Sequence, residues 1–150
     1  MVNRADEARR LAKAVPDPEI PVLTAGDLGL VREVEEEGGR LVVRLTPTYS
    51  GCPASEAIRR DVEAALASGG FADAVVETCL APAWTTDWMS EAGKAKLAAY
   101  GIAPPTRGPV ACPHCGGAAV EELSRFGSTP CKALWRCLGC REPFERFKCL

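Results

Sequence analysis

Apolar residues recur at helical spacing from Arg4 to Val15, where Ala8, Leu11, Ala12 and Val15 form one stripe. Asn3 can cap this helix, Asp6 and Glu7 suit its positive end, and Arg9, Arg10 and Lys13 suit its negative end. Pro16 stops it. The next stretch, "DPEIPVLTAGDLGLV", is too rich in Pro and Gly for regular structure and predicts a loop. Strand-like patterning follows in Leu30–Glu36 and Arg40–Thr46, with Leu41, Val43 and Leu45 on one face. Gly38-Gly39 between them predicts a hairpin. Helical spacing returns over Pro53–Leu66, with Ala54, Ala57, Ile58, Val62, Ala65 and Leu66 inward and Arg59, Arg60 and Glu63 outward. Ser68-Gly69-Gly70 ends that helix. Ala74–Leu80 reads as a third strand and Ser90–Tyr100 as a short helix stopped by Gly101. The order α-β-β-α-β-α predicts a small α/β sandwich, with helices packed on a short mixed sheet.

The pattern breaks at Ala103-Pro104-Pro105-Thr106-Arg107-Gly108-Pro109. This predicts a body over residues 1–103, a linker over 104–109 and a module over 110–150, a division that 150 residues can sustain. Charge changes at the same place. Residues 1–105 hold 11 Lys/Arg and 16 Asp/Glu, a net −5, while residues 106–150 hold 7 and 4, a net +3. The start, MVNRADEARR, has no apolar run, and no stretch approaches the roughly 20 apolar residues of a membrane span. A cytoplasmic protein without a membrane is expected. Eight cysteines in a reducing compartment then point to metal or catalysis before disulfides. The single histidine, His114, excludes a zinc enzyme with several His ligands and a Ser-His-Asp triad. No Gly-rich phosphate loop follows a strand, so an enzyme is not supported.

The tail carries the sharpest pattern. "ACPHCGG" and "WRCLGCRE" set Cys112-x2-Cys115 and, 21 residues on, Cys137-x2-Cys140. Two residues between cysteines let a tight turn aim both sulfurs at one metal, and two such turns supply the tetrahedral thiolate set that zinc prefers. An iron–sulfur cluster on the same four cysteines is the main alternative. A 40-residue module lacks the core to fold alone, so the metal supplies much of its stability. Val120, Leu123, Phe126, Trp135, Phe144 and Phe147 are expected to pack around the site. His114, inside the first turn, is expected to be an exposed ring, and Cys131 and Cys149 to be small core residues. Arg125, Lys132, Arg136, Arg141, Arg146 and Lys148 interleave with aromatics as in single-strand binders. A net +3 falls short of a nucleic-acid surface, so these read as solvated cations.

Cys52 stands where a strand runs into the Pro53–Leu66 helix, in "RLTPTYSGCPASEAIRRDV". Pro53 suits the first helical turn, which makes Cys52 the N-cap or its neighbour. The helix dipole and free N–H groups there favour a thiolate. Thr46, Thr48, Tyr49 and Ser50 can add hydrogen bonds. The residues alone leave a buried structural cysteine and a functional thiol equally open. Asp17, Glu19 and Asp27 lie in the Pro-rich loop, where acidic residues are usually caps or solvated turns. Trp84 and Trp88 flank Thr85-Thr86-Asp87 and are candidates for partner binding, with core packing expected for one of them. Cys79 reads as a buried small residue at a strand end.

Taken together, "DPEIPVLTAGDLGLV", "LTPTYSGCPA", "PAWTTDWMSEAGKAKLAAYGIAPP", "CPHCGG" and "RFGSTPCKALWRCLGCREPFERFKC" resemble the PaaD family. These are small accessory proteins of the bacterial phenylacetyl-CoA epoxidase system. The body resembles the wider SufT-like domains linked to iron–sulfur assembly. The resemblance implies help in assembling iron or iron–sulfur centres of the epoxidase's oxygenase and reductase subunits, not the oxidation itself. The chain agrees in lacking the repeated Glu and Glu-x-x-His ligands of a di-iron bundle. By the same resemblance, Cys52 is the candidate for transient iron or cluster binding, with Asp17 and Glu19 as neighbours. One such thiol per body would hold a labile cluster across a homodimer. The competing expectations are a docking subunit, a nucleic-acid binder and an oxygenase subunit in the strict sense.

Overall fold

In the computed structural model, which describes residues 3–49 and 51–150, helix α1 (Arg4–Lys13) begins where Asn3 accepts the Asp6 N–H at 2.8 Å. Strands β1 (Val31–Glu37) and β2 (Arg40–Leu45) form the expected antiparallel hairpin. Helix α3 (Pro53–Ser68) then carries the chain to β3 (Val75–Thr78), which lies parallel to β2 and completes a three-stranded sheet, β1-β2-β3. The helix α1 packs on β1 and α3, and α3 packs on β3. Leu41, Val43, Val62 and Leu66 are all but fully buried. Each such side chain contributes about 1.5–3 kcal/mol of burial. Opposite this core, Arg44 gathers Glu33, Glu35, Glu37 and Glu77 at 2.7–3.4 Å and offsets the repulsion along β1.

The Pro-rich stretch is more ordered than a loop reading allows. It contains a short helix, α2 (Ala25–Leu28), opened by a capping box. Thr24 Oγ1 accepts from Asp27 N at 3.1 Å, and Asp27 Oδ2 accepts from Thr24 N at 3.0 Å. Gly29 ends the helix at φ +73°, and a Cβ there would sit 2.4 Å from the Trp88 carbonyl oxygen, so only glycine fits. The segment 81–90 lies along α2. Trp84 Nε1 donates to Leu28 O at 2.7 Å, and Ser90 N donates to Asp27 O at 2.8 Å.

The chain divides into two compact units between Ser90 and Glu91. Residues 91–103, grouped with the body by the sequence pattern, belong to the second unit, as α4 (Glu91–Ala99) and β4 (Ile102–Ala103). Strand β4 pairs in parallel with β7 (Pro143–Phe147). With β6 (Lys132–Cys137) and β5 (Val120–Ser124) they form a sheet ordered β4-β7-β6-β5. Arg146 Nη2 donates to Thr106 O at 2.7 Å, tying the Pro-rich segment to β7. Among the described residues the architecture is mixed α/β, with four α-helices and two small sheets.

The core of the second unit is built from Ala103, Cys112, Cys137 and Phe144, with Trp135 stacked on Phe144 at 6.4 Å. Phe147 is buried as expected. Leu123 and Phe126 are not: they are 49% and 67% exposed. The pairing of β5 with β6 shifts register between Glu122 and Ser124, and this irregularity breaks the alternation at Leu123. Phe126 stands on the turn beyond it. No helix among the described residues is long and apolar enough to cross a membrane.

Candidate metal centre and thiol site

Two turns of the same design bring the four cysteines together. In the first, Cys112 N donates to Gly117 O at 2.9 Å. In the second, Cys137 N donates to Glu142 O at 3.0 Å. Gly116 takes φ +76° after Cys115, and Arg141 takes φ +67° after Cys140. Arg141 therefore occupies a left-handed position that favours glycine. Aligning "CPHCGG" on "CLGCRE" would have shown this demand in the sequence.

The ligand atoms of Cys112, Cys115, Cys137 and Cys140 all lie within 4.8 Å of one another. Cys112 and Cys140 are 3.7 Å apart, and Cys115 and Cys137 are 3.6 Å apart. Four sulfurs at about 2.3 Å from one ion form a tetrahedron with edges of about 3.8 Å. The set thus fits a single structural zinc. A cubane cluster spreads its cysteines wider, each on a different iron.

Backbone amides stiffen the site. His114 N points to Cys112 Sγ, Gly117 N to Cys115 Sγ and Cys140 N to Cys137 Sγ, each at 3.4 Å. The Cys140 N–H is the main cause that holds the Cys137 thiol down at about 6, against the effect of burial. Cys140 goes the other way, up to about 12. A backbone hydrogen bond from Glu142 lowers it, but burial and the crowd of Cys137, Cys112 and Cys115 outweigh that. Donors aimed at sulfur are what a metal thiolate needs, since its negative charge must be satisfied away from water. Cys112 and Cys137 are buried, while Cys115 and Cys140 are exposed. His114 is exposed.

The second candidate is Cys52, which caps α3 with Pro53 in the first turn. Its thiol is half-exposed and makes no capping hydrogen bond. The turn is fixed by Cys52 N donating to Tyr49 O at 3.2 Å and by Gly51 at φ +80°. Ser55 Oγ donates to Cys52 O at 2.7 Å, and Thr48 Oγ1 lies 3.9 Å from the sulfur. Just before this turn Thr46 is 2% exposed, and its Oγ1 has no hydrogen-bond partner among the described atoms. Ser50 lies outside the described residues.

Cys79 is half-exposed rather than buried, and its thiol donates to Ala81 O at 3.0 Å. Its amide donates to Leu45 O at 2.8 Å, so it ends β3 at the same sheet edge from which β2 leads to Cys52. The strand stops at Thr78 instead of running on to Leu80, which leaves Cys79 just beyond its end. Asp17 is 9% exposed, and its Oδ1 accepts from Glu19 N and Ile20 N, both at 2.8 Å. It shapes the loop whose Ile20 and Leu23 plug the core, while Glu19 faces solvent. Trp84 is 5% exposed and packs inside, out of a partner's reach. Trp88 is half-buried, with the Arg32 guanidinium 3.6 Å over its ring. In the second unit Cys131 is buried as expected. Cys149 is exposed, because it lies beyond the end of β7.

Known proteins share both halves of this arrangement. Residues 103–148 match the PaaD zinc beta ribbon domain, and residues 6–77 match the iron-sulfur cluster assembly protein family. A putative 1,2-phenylacetyl-CoA epoxidase component from Escherichia coli is 47% identical over 148 residues, covering 93% of this chain and 90% of that protein. An Fe-S protein maturation auxiliary factor from Porphyromonas gingivalis is 36% identical over 90 residues, covering 59% of this chain and 85% of that protein. Among solved structures, a domain of unknown function from Bacillus anthracis superposes with a TM-score of 0.56 at 29% identity. That match covers 62% of this chain and 90% of that one. A conserved hypothetical protein from Thermotoga maritima does so at 0.52 and 28%, over 64% and 94%.

Proposed function

This chain belongs to the PaaD family, and from that premise we propose that it is a non-catalytic maturation factor of the phenylacetyl-CoA epoxidase system. It takes iron or a labile iron–sulfur cluster on Cys52 as cargo and passes it to the oxygenase or reductase subunits. The relatives support an accessory role in that system and in iron–sulfur assembly. The zinc ribbon is structural in this reading.

One observation carries the role of Cys52: a half-exposed thiol caps a 16-residue helix and leaves the cap unmade. A cluster held by thiolates is anionic as a whole, and the unpaired N–H groups of a helix N-terminus suit an anion. Following the family resemblance, Asp17 contributes by shaping its own loop and Glu19 by its exposed carboxylate. Two copies, each giving one Cys52, would hold a labile cluster across a homodimer by two of its four ligand positions.

The test is Cys52→Ala in a strain lacking the native protein. Epoxidation of phenylacetyl-CoA should be lost, while the purified variant keeps its fold and about one zinc per chain. Protein isolated without oxygen should carry iron and acid-labile sulfide beyond that zinc, and the variant should not. Full activity of the variant would sink the role of Cys52. A second reading, a subunit that only docks the oxygenase, draws on the exposed Phe126 and Leu123. It requires the Cys52 variant to work normally.

A further inference from the structure

Phe126 is the most exposed of the large apolar side chains described, at 67%, and it is held out by a rigid scaffold. Gly127 N donates to Lys132 O at 2.7 Å, and Lys132 N returns to Thr129 O at 3.1 Å. Ser128 donates through its amide and its hydroxyl to the Glu145 carboxylate at 2.6–3.0 Å. That carboxylate also pairs with Lys132 at 3.6 Å, and Lys132 is only 4% exposed. A Cβ on Gly127 would meet Glu145 Oε2 at 2.3 Å, so a larger residue there would push the carboxylate off its place under the turn. Lys148 closes the other side, donating to Pro130 O at 2.9 Å with its ammonium 4.2 Å from the Phe126 ring centre.

A loop built only to connect two strands does not need a half-buried ion pair beneath it or an aromatic ring facing water. Pre-ordered aromatics of this kind serve as binding anchors, because little entropy is lost when they are engaged. The charges beside it indicate what it meets. Arg125 is exposed, and neither Arg125 nor Lys148 forms an ion pair among the described residues.

We propose that the Phe126 turn is the docking knob for a protein partner, inserting into an apolar pocket rimmed by carboxylates that meet Arg125 and Lys148. Leu123, exposed on the adjoining edge strand, widens the contact. A nucleic-acid strand fits less well. The two cations at the ring, Arg125 and Lys148, are too few to track a run of phosphates. The partner tested rests on the reading above, that this chain serves the epoxidase system.

The experiment measures binding of the zinc-loaded full chain to the separately purified oxygenase and reductase subunits of the epoxidase. Wild type should bind one of them. F126A should weaken that binding about 30-fold or more, as anchors do. R125E should weaken it and reduce its salt dependence. Zinc content and melting temperature of both variants should match wild type, since both positions are exposed. C52A should bind like wild type, which separates docking from maturation. The inference is overturned if F126A and R125E bind as wild type does, or if wild type binds none of these subunits. It is also overturned if a single-stranded oligonucleotide binds with steep salt dependence and F126A abolishes that instead.

Discussion

At residue scale, the two metal turns differ at one position. Gly116 and Arg141 share a left-handed backbone, which costs a side chain about 1 kcal/mol and glycine almost nothing. Part of that gain is lost again because glycine makes the unfolded chain freer. Arg141→Gly should therefore stabilise the second unit by about 0.5 kcal/mol, roughly 2–4 °C in melting temperature, with zinc content unchanged. A thermal melt with metal analysis checks this. A fall in melting temperature would mean that the Arg141 side chain makes a contribution its backbone hides. The cysteines themselves were legible because metal ligation demands a spacing. Asp17 was legible as a turn-former by its type, and its bonds to Glu19 and Ile20 bear that out. The outward turn of Phe126 was not legible, since an aromatic beside a metal site reads as core until its strand register is known.

At element scale, the turn between β5 and β6 hangs on one carboxylate of β7. Burial raises Glu145, but the Ser128 amide and hydroxyl and the Lys132 charge pull harder, leaving it below the usual 4.5. A depressed acid contributes stability in full above its ordinary value and loses it as pH falls through the lowered one. Protection of the Ser128 amide, taken relative to its intrinsic exchange rate at each pH, should therefore fall below about pH 4.5 in wild type. In Glu145→Gln protection should be low at every pH, with a loss of about 1–3 kcal/mol in denaturant unfolding. Equal protection in the two proteins would remove Glu145 from this role. The other elements follow local rules. The capping box of α2 was readable as Thr24-x-x-Asp27, though Pro and Gly around it masked the signal. Strand β4 could not be read, because two residues become a strand only when β7 lies beside them.

At the scale of the whole molecule, metal and core coincide in one unit only. Cys112 and Cys137 belong to the core of residues 91–150, whereas the core of residues 3–90 contains no cysteine of the four. A strong chelator should thus unfold the second unit and leave amide protection over 3–90 intact, since structural zinc supplies on the order of 10 kcal/mol to a small domain. Hydrogen exchange with and without chelator reads both units at once. Loss of protection throughout the chain would show that the first unit depends on the second. The sequence alone determined whatever rests on local periodicity or fixed spacing: α1, the β1–β2 hairpin, α3 with Cys52 at its start, and the four metal cysteines. Short-range geometry specifies these before any long-range contact forms. Only the tertiary structure decided where the units divide, that Trp84 lies inside and Phe126 outside, and that Cys79 ends at the edge of the β2–β3 pair. Strand partners distant in the chain set these outcomes, and a linear pattern of apolar and polar residues does not record which strands will meet.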